Sequence, residues 1–117
     1  MLNGIAVDNI YLAAGVTDLR KSIDGLAILV QQSFELDPFT NSLFVFCNRK
    51  RNKLKILRWE TNGFWLYYRR LEKGRFRWPQ TADKKVEVTS RQLRWLLDGL
   101  PLNLPGAHSE VTSRLLI

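Results

Sequence analysis

The first part of the chain pairs a short apolar segment with a stretch of helical periodicity. Residues 9–14, NIYLAA, predict a short edge strand, and Thr17 or Asp18 follows as a candidate helix N-cap. A helix is predicted next, with one apolar face made of Leu19, Ile23, Leu26, Ala27, Val30 and Phe34. The helix should end before Asp37-Pro38, because the residue that precedes a proline disfavours the helical conformation.

The middle of the chain predicts a run of strands. Residues 43–47 are apolar throughout, as in a covered strand. Residues 53–60 and 64–71 predict a hairpin around Thr61-Asn62-Gly63, because both Asn and Gly tolerate the positive φ that a type I′ turn requires. After a turn at residues 72–74, residues 75–78 (RFRW) predict a returning strand, and residues 86–88 (VEV) a short one.

The predicted hairpin has two mixed faces. With Asn62-Gly63 as a two-residue loop, Thr61 lies opposite Phe64 and Leu57 opposite Tyr68. One face then carries Lys55, Leu57, Trp59, Leu66, Tyr68 and Arg70, and the other carries Leu54, Ile56, Arg58, Trp65, Tyr67, Arg69 and Leu71. Neither set is cleanly polar, which is unusual for a sheet that is wet on one side. We therefore expect a mixed aromatic and cationic surface on the open face.

The C-terminal part predicts one more helix and then a tail. Thr89 and Gln92 fit a capping box at the start of TSRQLRWLLDG, residues 89–99, and Gly99 suits the position after the helix. Pro101 and Pro105 argue against further helix, so residues 101–117 are predicted to be a tail or docking arm. Residues 1–100 are predicted to form a single α+β domain. Its antiparallel meander of about four to five strands has one helix before it and one after, and the helices cover one sheet face.

The charge of the chain is concentrated in its middle quarter. The net charge is +7, and the segment from Arg49 to Arg77 holds eleven basic residues and two acids, a balance of +9. The other 88 residues carry −2. A local field of one sign is typical of a protein that binds a polyanion, although charge runs also serve only as solvated surface. The interleaving of cations with aromatic residues favours the polyanion.

Two groups of residues are the candidate nucleic-acid contacts. Lysines and arginines neutralise phosphates, and aromatic rings stack on bases. The candidate phosphate contacts are Arg49, Lys50, Arg51, Lys53, Lys55, Arg58, Arg69, Arg70, Lys73, Arg75 and Arg77. The candidate base-stacking residues are Trp59, Tyr67 and Tyr68; these three and Trp65 are placed equally between surface and core. We expect Phe44, Phe46, Phe64 and Phe76 in the core. An exposed Trp, Tyr and Arg surface also suits a protein interface.

Residue types that carry catalysis are sparse. The single histidine, His108, lies in the predicted tail, and Cys47 ends an apolar strand, where a buried inert thiol is expected. One Cys and one His do not make a zinc site by themselves, the acids are scattered, and no glycine-rich phosphate loop is present. We predict no catalytic residue, metal or cofactor. No apolar run approaches the ~20 residues of a membrane span, and the single cysteine fits a cytoplasmic protein.

Three segments carry a resemblance to a known family. They are LAAGVTDLRKSIDGLA (12–27), LFVFCNRKRNKLKILRWETNGFWLYYRRLEKGRFRWP (43–79) and LRWLLDGL (93–100). They resemble TnpB, the accessory protein from the second open reading frame of IS66-type bacterial insertion sequences, and not the much longer RNA-guided nucleases of the same name. The resemblance implies a role in transposition beside a separate, larger transposase that carries the acidic catalytic residues.

Three functions are compatible with the sequence. The first is a non-enzymatic, nucleoid-associated factor that binds DNA, either the element ends or a single-stranded intermediate, through the basic hairpins. The alternative is an adaptor without strong DNA affinity that docks on the transposase through the aromatic sheet face, with the helix of residues 93–97 as a further candidate contact. A small nuclease ranks last, because no cluster of carboxylates marks a metal site.

Overall fold

The computed structural model describes residues 6–81 and 83–100. The predictions for the tail, including His108, fall outside these residues. The elements in chain order are β1 (Asn9–Ala13), α1 (Ile23–Ser33), β2 (Ser42–Cys47), β3 (Lys53–Glu60), β4 (Gly63–Arg70), β5 (Lys85–Val88) and α2 (Ser90–Leu97). The five strands form one sheet in the order β4-β3-β2-β1-β5.

The sheet is mixed but mostly antiparallel. β1 runs parallel to β2, with Tyr11 beside Phe44, and antiparallel to β5, with Tyr11 beside Glu87. The β2–β3 and β3–β4 pairs are antiparallel. The α+β class is thus confirmed. The prediction that residues 9–14 form an edge strand is wrong, because β5 returns from the far end of the chain and pairs with the outer side of β1.

Helix α1 begins later than predicted. Its N-cap is Ser22, in extended conformation and without a side-chain capping bond, so the placement of the cap at Thr17 or Asp18 is wrong. Thr17 is buried, and its amide donates to the carbonyl of Cys47 at 2.9 Å. Asp18 instead organises a turn, in which its carboxylate accepts from the amide of Arg20 at 3.0 Å. The predicted end of the helix before Asp37-Pro38 is confirmed.

The β3–β4 hairpin has the predicted faces in a different register. Thr61, with φ of 53°, and Asn62 form the turn, and Gly63 already pairs with Glu60. Leu57 therefore lies opposite Leu66, not Tyr68. The Asn-Gly signal placed the turn one residue too late along the chain. Because the partner of each β3 residue moves by two positions, every side chain keeps its predicted face.

Both faces of the sheet are covered. Alternate strand residues such as Leu12, Val45 and Ile56 form a first core with Leu93 and Leu96 of α2. The intervening residues, such as Phe44, Phe46 and Leu57, form a second core with Leu26 and Val30 of α1. The prediction that the helices share one face and leave the other open is wrong, because the strands carry apolar residues at successive positions and need cover on both sides.

The segment after β4 packs without forming a strand. Phe76 and Trp78 are buried in the first core, and the Trp78 indole donates to the carbonyl of Ala13 at 3.0 Å. The amide of Phe76 donates to the carbonyl of Arg51, but no ladder continues from it. The prediction of a strand at residues 75–78 is therefore wrong: the segment is held by its buried aromatic residues. Phe44, Phe46 and Phe76 are buried as predicted, and Phe64 is partly buried against the second core.

Helix α2 begins with the predicted capping box. The hydroxyl of Thr89 accepts from the amide of Gln92 at 3.1 Å, and the side-chain oxygen of Gln92 accepts from the amide of Thr89 at 2.8 Å. Gly99 follows the helix with φ of 77°, a left-handed conformation that favours glycine. The helix thus has defined ends and a fixed position against the first core.

Candidate nucleic-acid interface

The turn between β2 and β3 is a rigid platform for cations. The Asn48 side-chain oxygen accepts from the amides of Asn52 and Lys53 at 3.1 and 3.0 Å, and its amide nitrogen donates to the Asn52 side chain at 2.9 Å. Arg51 has a left-handed φ of 60°. These bonds fix a turn that places Arg49 and Lys50 at its exposed apex. Asn at this position fits the role because its short amide can bond the neighbouring backbone.

The turn is joined to the segment that follows β4. The carbonyl of Asn52 accepts from the amide of Leu71, and the carbonyl of Arg51 accepts from the amide of Phe76, both at 2.7 Å. Two cationic stretches that are twenty residues apart in sequence therefore meet at one end of the sheet. We call this region, made of residues 48–53 and 70–77, the basic end.

A cleft of about 900 Å³ opens at the basic end, on the sheet face that α2 covers. Its wall carries four cations and one acid: Arg51, Lys73, Arg75, Arg77 and Asp98. Its apolar lining comes from Leu71, Phe76, Trp78 and Pro79. The formal charge of these five side chains is +3, which gives the cleft a positive field.

A second, shallower groove of about 530 Å³ lies on the opposite sheet face. Lys53, Lys55 and Tyr68 line it from the strands, and Asp18, Leu19, Arg20 and Asn48 complete it. Arg20 is engaged with Asp18, because its guanidinium forms a two-point ion pair with that carboxylate at 2.7 to 3.1 Å. This pair holds the pKa of Asp18 at about 2, chiefly through the hydrogen bonds from Arg20. Asp18 is therefore ionised at neutral pH and offsets one of the groove's cations.

Three of the predicted phosphate contacts are already engaged within the protein. Lys55 Nζ donates to the carbonyls of Leu19 and Lys21 at 2.6 and 3.1 Å, which ties β3 to the loop before α1. Arg58 is only 12% exposed and pairs with Glu60 at 3.2 Å. Arg70 pairs with Glu72 at 2.7 Å on the surface.

The other eight candidate cations form no ion pair within residues 6–81 and 83–100. They are Arg49, Lys50, Arg51, Lys53, Arg69, Lys73, Arg75 and Arg77. All but Arg69 belong to the basic end or line its cleft. The structure therefore gathers most of the predicted residues and separates Arg58 from them, at the far end of β3.

The three predicted base-stacking residues have different surroundings. Trp59 packs in a ring cluster with Phe39 and Phe64, with centroids 5.0 to 5.4 Å apart. Tyr67 lies against the first core and stacks on Trp65 at 6.3 Å. Tyr68 is 50% exposed and lines the second groove beside Lys53. Of the three, only Tyr68 combines an exposed ring with neighbouring cations.

Sequence reasoning missed two features of this surface. Arg20 and Asp18 join the second groove from a loop that is more than thirty residues away from Lys55, and no local pattern predicts that approach. Trp65, which was left between surface and core, is 54% exposed on β4. Its place on an edge strand follows from the strand order, which one sequence does not reveal.

The cysteine and the acidic residues are candidates for nucleophilic or metal chemistry in residues 6–81 and 83–100, because these side chains commonly carry it. Cys47 is buried, and burial raises the pKa of its thiol to about 11, so it is protonated at neutral pH. Residues 6–81 and 83–100 contain no group of three or more His, Cys, Asp or Glu side chains placed to hold a metal ion. Neither α1 nor α2, the helices of the same ranges, has the length and apolar content to cross a membrane.

Comparisons with known proteins identify the family. The family model described as IS66 Orf2 like protein matches residues 8–107. Two similar proteins come from Sinorhizobium fredii (strain NBRC 101917 / NGR234), and both are described as uncharacterized. One, y4hO, is 34% identical over 82% of this chain and 84% of its own length. The other, y4jC, is 29% identical over 78% of each chain. No solved structure matches the chain. The chain therefore belongs to the IS66 Orf2-like family, the accessory proteins associated with IS66-type insertion sequences.

Proposed function

We propose that this protein is a non-enzymatic DNA-binding accessory factor of IS66-type transposition, which binds phosphates through the basic end. One observation carries the proposal: the hydrogen bonds that the amides of Leu71 and Phe76 donate to the carbonyls of Asn52 and Arg51 bring two cationic stretches together. All of the cations so gathered except Arg70 lack ion-pair partners in the described part of the chain. The family supports the setting in transposition, and the physical argument for DNA comes from the charge.

The crowding of these cations costs free energy in the protein alone. Like charges that are close to one another repel, and neither Arg49 nor Lys50 forms an ion pair within residues 6–81 and 83–100. A polyanion relieves the repulsion and releases its condensed counterions, which favours the complex at low salt. Because phosphates are the same at every base step, this contact gives affinity without sequence preference. A preference for the element ends would have to come from the transposase or from DNA shape.

The test is fluorescence anisotropy with three labelled probes over a salt series. The probes are an element-end duplex, a scrambled duplex and a single strand, and the variant is Arg49→Ala with Lys50→Ala. We expect binding by the native protein with a steep salt dependence, and a slope smaller by roughly 2 in the variant, since each phosphate contact contributes about 0.9. Lys84→Ala, which removes an exposed cation outside the basic end, is the control and should leave the slope nearly unchanged.

The proposal fails if the native protein does not bind any probe near physiological salt. It also fails if the Arg49 and Lys50 variant keeps the native slope, because the cations at the apex would then contact no phosphate. Circular dichroism on each variant checks that the loss of affinity does not come from unfolding.

A second candidate function is docking on the transposase, and one observation favours it. β4 is an edge strand of the sheet, and it exposes Trp65 on one face and Tyr68 on the other. Exposed aromatic residues and a free strand edge are both common in protein interfaces. Copurification of the transposase that survives Arg49→Ala with Lys50→Ala but is lost with Trp65→Ala would establish this function; copurification that does not depend on Trp65 would count against it.

A further inference from the structure

The basic end has cationic grooves on both faces of the sheet, with the β2–β3 turn standing between them. The cleft of Arg51, Lys73, Arg75 and Arg77 adjoins the first core, below α2. The groove of Lys53, Lys55 and Arg20 adjoins the second core, below α1. A protein that bound one strand of nucleic acid would need only one of these surfaces.

The arrangement of the two grooves suits one part of duplex DNA. Successive side chains of a strand point to opposite faces of its sheet, so the cations of the two grooves extend in opposite directions. The major groove of B-DNA is about 12 Å wide and admits a two-stranded β-ribbon, whereas the minor groove is only about 6 Å wide. Each major groove is bordered by the phosphates of both strands. A ribbon seated in it therefore presents one face to each backbone.

Resting on the proposed DNA binding, we infer that the β2–β3 turn enters the major groove of duplex DNA and that the two grooves hold the phosphates of the two bordering strands. Arg49 and Lys50 at the exposed apex then lie between the two backbones, where they contact the phosphates that border the groove. The cleft, with a balance of +3, receives one backbone. The groove has a formal balance of +2 and receives the other; because Lys55 bonds backbone carbonyls and Arg20 pairs with Asp18, Lys53 is its main phosphate contact.

The rigidity of the turn supports this role. The Asn48 bonds and the junction to residues 71–76 keep the turn fixed relative to both grooves. A fixed ribbon enters a DNA groove without losing conformational freedom of its own, which favours the complex. A mobile loop of the same charge would bind phosphates equally well but would not hold two strands at a set spacing.

The first experiment compares variants of each groove on duplex and single-stranded probes. Arg75→Ala removes a cation from the cleft, and Lys53→Ala removes one from the opposite groove. On duplex DNA each should lower the salt slope by about 0.9 and the affinity near 0.15 M salt by roughly fivefold, and the two effects should multiply to roughly 25-fold. On a single strand, which occupies one groove at a time, one of the two variants should have little effect. Lys84→Ala is again the charge-matched control.

The second experiment blocks each DNA groove in turn. Glucosylated 5-hydroxymethylcytosine fills the major groove of a duplex, and netropsin fills the minor groove of A·T tracts. We expect glucosylation to weaken binding at least tenfold and netropsin to leave it unchanged.

The inference is overturned if Lys53→Ala leaves the slope on duplex unchanged, if glucosylation has no effect, or if single strands bind more tightly than duplex. Each of these results requires that the protein binds DNA, so the proposed function survives them. Absence of DNA binding by the native protein would overturn both proposals.

Discussion

The two ends of the β3–β4 hairpin differ in whether their charged and aromatic side chains bond other side chains of the protein. At the basic end, cations from two stretches of the chain meet, and most of them form no ion pair with any acid in the described part of the chain. At the turn end, Glu60 accepts from the Trp65 indole at 2.7 Å and pairs with Arg58 at 3.2 Å. We call this second region, residues 58–65, the Glu60 end. At the Glu60 end the charged and aromatic side chains therefore bond one another. At the basic end most of the cations are available to an external anion.

The two ends are far enough apart that solvent ions screen the electrostatic interaction between them. Seven residue steps along β3, at about 3.3 Å each, place them roughly 23 Å apart. The Debye length at physiological ionic strength is only about 8 Å, so the ion pair at Glu60 does little to offset the field at the basic end. A count of cations in a sequence therefore overestimates the number that can bind an anion, because the fold engages some of them in bonds within the protein.

The largest effect should come from charge reversal at the apex of the basic end. Arg49→Glu with Lys50→Glu changes the local charge by four units, so we expect the affinity for duplex DNA near 0.15 M salt to fall at least about 100-fold. The free energy of unfolding should stay within about 0.5 kcal/mol of the native value, because both side chains are exposed. Anisotropy and urea denaturation measure the two quantities. Native affinity in this variant, or an equal loss of affinity in Lys84→Glu, would contradict the assignment of DNA binding to the basic end.

Substitutions at the Glu60 end should change the stability of the fold and leave DNA binding unchanged. Arg58→Ala should lower the free energy of unfolding by about 1–3 kcal/mol, because it removes a nearly buried side chain and an ion pair, and should leave the DNA salt slope unchanged. Arg58→Met should keep stability within about 1 kcal/mol of native, since the Arg58 Nε is buried without a partner and an apolar chain of similar length needs none. A flattened salt slope in Arg58→Met would assign this cation to the DNA surface.

A matched pair of aromatic residues on β4 tests the stacking role. Tyr68→Ala should weaken binding to single-stranded DNA by roughly fivefold, which corresponds to about 1 kcal/mol, because its exposed ring lines the second groove. Trp65→Ala removes a ring of similar exposure that points to the other face and belongs to the Glu60 end. It should change the affinity little. Equal losses in both variants would mean that stacking extends along the whole edge strand.

The smallest effects should come from two acids, Asp18 in the second groove and Glu60 at the Glu60 end. Asp18→Asn releases Arg20 in the second groove, so we expect duplex affinity near neutral pH to rise by roughly two- to fivefold. Glu60→Gln should leave the affinity unchanged. A fall in affinity with Asp18→Asn would show that the ion pair positions Arg20 for DNA and does not neutralise it.

The same acids predict a pH dependence of stability. The pKa of Asp18 is about 2 in the folded protein and 3.8 in the absence of the Arg20 bonds, so the ionised group stabilises the fold at pH values above about 4. This contribution is lost as the pH falls from 4 to 2. The Trp65 and Arg58 bonds also lower the pKa of Glu60, with the same sign. Denaturation at pH 6, 4 and 2.5 should show a smaller acid loss for Asp18→Asn than for native protein; equal losses would contradict the low pKa.

Local patterns predicted most of the elements of this fold. The alternation along residues 53–60 and 64–71 assigned every hairpin side chain to its face, even though the turn is one residue earlier than the Asn-Gly signal implies. Thr89 and Gln92 predicted the capping box because both partners lie within one helical turn. The position of β1 could not be predicted in this way, since its pairing with β2 and β5 joins residues far apart in the chain.

The site was predictable in composition but not in geometry. The sequence identified the eleven cations, and the fold decided that Lys55 bonds two backbone carbonyls and Arg58 pairs beside Trp65. Arg20 entered the second groove through a loop that sequence reasoning assigned to a helix. Long flexible side chains leave no periodic signal for their partners, so a pattern does not distinguish an engaged cation from an available one.

The most direct test of the contrast between the two ends is an NMR titration of the ¹⁵N-labelled protein with a short DNA duplex. We predict that the amide signals of residues 49–53 and 72–77 shift as DNA is added, while the indole signal of Trp65 and the amides of residues 58–65 stay in place. Shifts centred on Trp65 and β4, or no shifts at duplex concentrations that saturate other DNA-binding domains, would contradict the assignment of DNA binding to the basic end.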